Sequence, residues 1–232
     1  MIMMQDMIAF FALNALSVLA SDDDEDSAYM HGISSSADSI SVGTSTGAII
    51  IIEYNANRKE FYERQKIATA SCPITALAEN KSYLASSNGD GDIFVFDAAD
   101  QYRQLGHFKG TGSAATCLCL RGDILIAGYV TGHIRMFRAD VAELGMEVTA
   151  HIRMITGMDV HPNGNLFVTC SEDQHVQVWT LPMRLTSTAT TDPIFTRKLE
   201  NKLCTGASFL ADGRLCVASY DDSELNIFVE KK

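Results

Sequence analysis

No Lys or Arg precedes Arg58 in this 232-residue sequence, and the missing basic region argues against a secretory leader. The apolar stretch from Ile8 to Ala20 ends in Val18-Leu19-Ala20, a passable cleavage site. A helix that spans a bilayer, however, takes about 20 apolar residues. Met7 to Leu13, MIAFFAL, is therefore expected to be a strand. Basic residues are scarce elsewhere too: 18 Lys and Arg stand against 29 Asp and Glu, a net charge of −11, and they nowhere cluster with aromatics. A nucleic-acid groove needs cations to neutralise phosphates, so that class is excluded. An acidic field suits basic or amphipathic partner proteins better.

The six cysteines contain no CxxC pair, and each lies within or beside an apolar stretch. They are expected to be reduced core thiols in a reducing, cytoplasmic compartment. Cys117 and Cys119 share one strand face, but no second pair completes a zinc site. His31, His107, His133, His161 and His175 lack the paired spacing of metal ligands. Walker, Rossmann and EF-hand patterns are missing, so neither a cofactor nor a small-molecule substrate is expected. Helical periodicity is absent throughout.

What the sequence does contain is a repeat. His151, Thr169, Asp173 and Trp179 frame the text HPNG, LFVTCSED and HVQVW, a turn, a strand, a bend and a second strand. Aligned on Trp179, the chain gives Ile52, Phe96, Phe137, Trp179 and Phe228, spaced by 44, 41, 42 and 49 residues. Alternating positions before each are apolar: Ile49 and Ile51, Ile93 and Val95, Ile134 and Met136, Val176 and Val178, Leu225 and Ile227. Apolar residues at intervening sites as well predict strands covered on both faces, as stacked sheets are.

Outer strands are expected near 7–13, 59–67, 102–108, 143–149 and 193–199, and the last strand of each copy near 49–54, 92–97, 133–138, 175–180 and 224–229. Asn88-Gly89-Asp90-Gly91, Thr131-Gly132, Asn163-Gly164 and Asp212-Gly213 supply turn chemistry for positive φ. Residues 1–28 are read as an outer strand plus an acidic loop with five consecutive acids at 22–26. Residues 29–232 are read as repeats ending near 54, 97, 138, 180 and 229. Met183 to Asp192, rich in Thr and Ser, is expected to bulge from one rim.

The period, the quartet and the stretches SISVGTSTGAIIIIEY (39–54), ILIAGYVTGHIRMF (124–137), TAHIRMITGMDV (149–160), VTCSEDQHVQVW (168–179) and CVASYDDSELNIF (216–228) resemble the WD-repeat family, and within it the C-terminal part of a longer member. The resemblance implies an all-β WD-repeat β-propeller of five repeats, open or partial, with a closed five-bladed ring as the alternative. It implies that His151, Thr169, Asp173 and Trp179 form a structural hydrogen-bonded tetrad. It also implies a non-catalytic scaffold binding other proteins through the rim of bends between second and third strands. That rim is expected to display Ser45, Gly89, Val130, Glu172 and Asp221, with Arg153; Glu172 and Asp221 are the preferred contacts. Elsewhere the quartet decays. The Thr169 column reads Val42, Ser86, Ala127 and Ala218, and the Asp173 column reads Thr46, Asp90, Thr131 and Asp222. Asp90 with Ser86 and Phe96 is expected to retain part of the network. A hydrolase-like enzyme is the competing class, since Ser171, His151 and Asp173 hold the letters of a triad. No GxSxG elbow accompanies them.

Overall fold

In the first four repeats the apolar columns become strands covered on both faces, and the strands of all five repeats assemble into antiparallel sheets. The computed structural model describes residues 30–36, 39–69, 71–182, 185 and 191–229. In the first sheet β1 (Met30–Ser35), β2 (Ser39–Thr44), β3 (Ala48–Asn55) and β4 (Glu60–Ala68) lie side by side in that order. The second repeats the meander with β5 (Ile74–Glu79), β6 (Tyr83–Asn88), β7 (Ile93–Asp97) and β8 (Arg103–Phe108). The third holds β9 (Ala115–Arg121), β10 (Ile124–Tyr129), β11 (His133–Arg138) and β12 (Glu143–Thr149), and the fourth β13 (Ile155–Val160), β14 (Leu166–Ser171), β15 (His175–Thr180) and β16 (Pro193–Lys198). The fifth has three strands, β17 (Cys204–Phe209), β18 (Leu215–Ser219) and β19 (Asn226–Phe228). No helix of the described residues is long and apolar enough to cross a membrane.

Innermost strands pack in series, β1 on β5, β5 on β9, β9 on β13 and β13 on β17. Side chains of facing sheets fill each junction. Ile49 and Ile51 meet Leu84, Phe94 and Phe96; Ile126, Ile134 and Met136 meet Ile155, Phe167 and Trp179; Val168, Cys170, Val176 and Val178 meet Cys204, Leu215 and Val217. Burial of each large side chain contributes about 1.5–3 kcal/mol, so apolar stacking supplies most of the cohesion. Hydroxyls bridge the later junctions: Thr116 Oγ1 donates to the Ile155 carbonyl at 2.6 Å, and Thr156 Oγ1 to the Cys204 carbonyl at 2.8 Å. At the fourth junction Gly157 is required by close approach, because a Cβ there would lie 2.8 Å from Gly206 Cα and from Ala207 N.

Among the described residues the architecture is an open arc of five propeller sheets. Three expectations need correction. Leu225 and Ile227, read as covered, are 62% and 43% exposed, because no sheet of the described residues packs on that face. The last strand, expected over 224–229, pairs only at Asn226–Phe228. Gly91, Gly132 and Gly213 take positive φ, whereas Gly164 does not. The expected strand 7–13, the acidic run 22–26 and most of the 183–192 loop lie outside the described residues.

Candidate functional site

Strand pairing brings the quartet together from four places. Thr169 lies on β14 and Trp179 on β15, Asp173 sits in the bend joining them, and His151 precedes β13. Trp179 Nε1 donates to Thr169 Oγ1 at 3.0 Å, and Thr169 Oγ1 meets His151 Nε2 at 2.9 Å. His151 Nδ1 reaches the Asp173 carboxylate at 3.0 Å. One assignment of hydrogens satisfies every member. The indole N–H occupies a Thr lone pair, the Thr hydroxyl donates to Nε2, and the neutral imidazole donates from Nδ1 to Asp173. A doubly protonated His151 would leave Thr169 facing two donors with its own hydrogen displaced.

Charge follows the same logic. Burial holds His151 below its ordinary value, against the pull of Asp173. Burial also pushes the Asp173 carboxyl up, but His151 and the backbone N–H groups of His175 and Ile152 outweigh it and leave the group lowered. Those N–H groups lie 2.9 Å and 3.2 Å from the carboxylate. The hydroxyl attached to this pair is that of Thr169, which is fully buried and also accepts from the Trp179 indole; Ser171 is not bonded to the pair. Ser171 Oγ donates instead to the Arg153 carbonyl at 3.2 Å and accepts from Asp173 N at 3.1 Å.

The degenerate copies use other clamps. Ser86 Oγ is buried without a hydrogen-bond partner, which corrects its expected share in a network with Asp90. Phe96 has no donor to offer it, and the carboxylate at work is Asp92, which accepts from Gly110 N at 2.5 Å and approaches His107 Nε2 at 3.3 Å. In the fifth sheet Lys202 pairs with Asp222 at 2.7 Å. Between the first two sheets Glu79 accepts from Ser39 at 3.0 Å, Ser41 at 2.6 Å and Tyr102 at 3.1 Å. These partners are 38 and 40 residues away in β2 and 23 away in Tyr102, and no local motif announces them.

The bend rim is built by a recurring bond from the residue after the second strand to a carbonyl just before the first. Gly89 N donates to Pro73 O, Val130 N to Ala114 O, Glu172 N to Met154 O and Tyr220 N to Leu203 O, at 2.7 to 3.2 Å. The column therefore runs through Tyr220 in the fifth sheet, where the sequence placed Asp221. Ser219 faces Cys204 as Ser171 faces Ile155, yet nine residues separate Ser219 from Phe228 and eight separate Ser171 from Trp179. The extra residue sits in the bend, where Asp221 takes φ of 53°. By the same register Val217, rather than Ala218, matches Thr169. Arg153 and Asp221 are exposed and Glu172 is half-buried, and none of the three side chains makes an ion pair among the described residues. Beside them Ile152 is 87% exposed and Tyr220 72%. In the tetrad sheet the bend position filled by Gly47, Gly91 and Gly132 elsewhere is Gln174, at φ of 70°. Its carbonyl accepts from Leu199 N and its side-chain oxygen from Asn201 N, tying the bend to the connection between the fourth and fifth sheets.

All six cysteines are free. Burial pushes the Cys117 thiol up to about 11 and Cys170 to about 12, so neither is a nucleophile near neutrality.

A family model described as WDR54 matches residues 5–231. WD repeat-containing protein 54 of Mus musculus is 24% identical over 160 residues, covering 66% of this chain and 48% of the relative. The Homo sapiens protein of that name is 24% identical over 207 residues, covering 86% and 59%. Shk1 kinase-binding protein 15 of Schizosaccharomyces pombe is 28% identical over 145 residues, covering 60% and 42%. The chain thus spans about half the length of the curated relatives it matches.

Proposed function

The chain belongs to the WDR54 family, and from that membership we propose that it is a non-catalytic scaffold that binds partner proteins through its rim of bends. The observation that carries this reading is a contrast between adjacent residues. Asp173 is saturated by His151 and two backbone N–H groups, whereas Glu172 and Arg153 beside it make no ion pair among the described residues. The serine of the hydrolase reading, Ser171, is bonded to the Arg153 carbonyl and not to His151, and the hydroxyl that does meet His151 is Thr169, fully buried beneath the Trp179 indole. Six free thiols support a reducing, cytoplasmic location. Shk1 kinase-binding protein 15 is named for binding a kinase, which makes a protein kinase the first partner class to test. Affinity capture with mass spectrometry, comparing the native chain with Glu172→Lys/Asp221→Lys, is the direct experiment. Loss of specific partners on charge reversal supports this face, and an unchanged set of partners rejects it.

A further inference from the structure

We propose that the outward face of the fifth sheet is a docking surface for the first sheet of a second copy of this chain. Each internal junction seats the innermost strand of one sheet against the sheet before it. At the last two, the threonine that follows the strand's first residue donates across the gap: Thr116 to the Ile155 carbonyl and Thr156 to the Cys204 carbonyl. Thr205 holds that register position in β17, because Cys204 faces Ser219 as Ile155 faces Ser171. Its side chain is exposed, and it makes no side-chain hydrogen bond among the described residues. Register matches Val178 with Ile227, and Leu225, two residues before Ile227, corresponds by spacing to Val176. Val176 and Val178 are buried under the fifth sheet, at 0% and 8%, and Leu225 and Ile227 are 62% and 43% exposed. A surface that is apolar at Leu225 and at Ile227 of β19 and offers a spare donor is built as the first half of a junction.

The first sheet carries the matching half. Met30 faces Thr44 as Cys204 faces Ser219, so the Met30 carbonyl occupies the acceptor position for a threonine across the gap. Met30 and Ile33 of β1 are 39% and 51% exposed. Among the described residues this junction is made four times, and its two complementary halves are left on the first and fifth sheets. Seating β1 of a second copy against β17 and β19 covers Leu225 and Ile227 and gives Thr205 an acceptor. The contact is head-to-tail, joining unlike faces, so copies add in series unless a ring closes.

Sedimentation velocity of the full chain over a wide concentration range tests this. The native protein should self-associate by mass action. Ile227→Glu should weaken association more than about tenfold, a change of about 1.4 kcal/mol. Thr205→Val, which removes one hydrogen bond, should weaken it about twofold to tenfold. Both residues are solvent-exposed, and Leu225→Lys is a second variant should either fail to fold. Glu172→Lys on the rim should leave association unchanged, which separates this surface from the proposed partner face. A monomer at every concentration overturns the proposal. So does association that survives Ile227→Glu and Leu225→Lys, or that is abolished by Glu172→Lys.

Discussion

Thr169 and Ser86 occupy the same column in two sheets, and the structure predicts opposite responses to loss of their hydroxyls. Both are fully buried. Thr169 Oγ1 contacts Trp179 Nε1 at 3.0 Å and His151 Nε2 at 2.9 Å, whereas Ser86 Oγ contacts no partner. Thr169→Val keeps the shape and orphans two buried groups, each costing about 1–3 kcal/mol. The methyl that replaces the hydroxyl offsets about 0.8 kcal/mol of this. The net loss should be about 1–5 kcal/mol, centred near 3. Ser86→Ala removes a polar atom that is already unpaired, so it should be neutral or stabilise by up to about 1 kcal/mol. Urea unfolding followed by circular dichroism reads both changes. A Thr169→Val midpoint equal to the native one, or a Ser86→Ala loss as large as that of Thr169→Val, would refute the hydrogen-bond assignment.

Trp179→Ala removes ring packing against Phe167 as well as the indole donor, and should cost about 3–5 kcal/mol, seen as a lowered melting temperature. Gly157→Ala drives a Cβ into backbone at 2.8 Å and should cost about 1–3 kcal/mol in the same urea assay. Burial holds His151 below 6.5, so the unfolded chain takes up a proton that the folded one resists. Its contribution is present above pH 6.5 and is lost as pH falls through the folded value; His151→Asn should flatten that part of the stability curve. Glu79 has the opposite sign, because burial outweighs its hydroxyl donors and raises it above 4.5. Its contribution is present below pH 4.5 and is lost as pH rises through the raised value, so Glu79→Gln should gain on the native chain across that window in pH-dependent melts.

Strand positions were legible because period-two apolar patterning on both faces has few outcomes other than stacked sheets. The pattern does not say whether a neighbour is present. Leu225 and Ile227 repeat the chemistry of Val176 and Val178, and only the packing of a further sheet separates exposed from buried. The tetrad was legible because its four residue types lie at family spacing, and Ser86 was misread because residue type was taken for partnership. Thr169 has an imidazole and an indole opposite its hydroxyl, whereas the imidazole of the second sheet, His107, is beside Asp92 and does not reach Ser86. Tyr220 was missed by one position since spacing counted back from Phe228 runs across a bend with an extra residue, whereas register is fixed by backbone pairing. Glu79 gave no signal because its partners are distant in sequence.

Apolar stacking is common to all four junctions, while the polar clamps differ: Glu79 between the first two sheets, Asp92 with His107 in the second, the tetrad in the fourth, Lys202 with Asp222 in the fifth. Where each repeat contacts only its neighbours, stability is close to a sum of sheet and junction contributions. Damage to one clamp should then stay local. In Thr169→Val, hydrogen exchange should accelerate across β13 to β15 and into β17, which packs on them, while the amides of β2 and β3 keep native protection. Equal acceleration in β3 and β14 would show that the arc opens as one unit, and the sum-of-junctions description would fail.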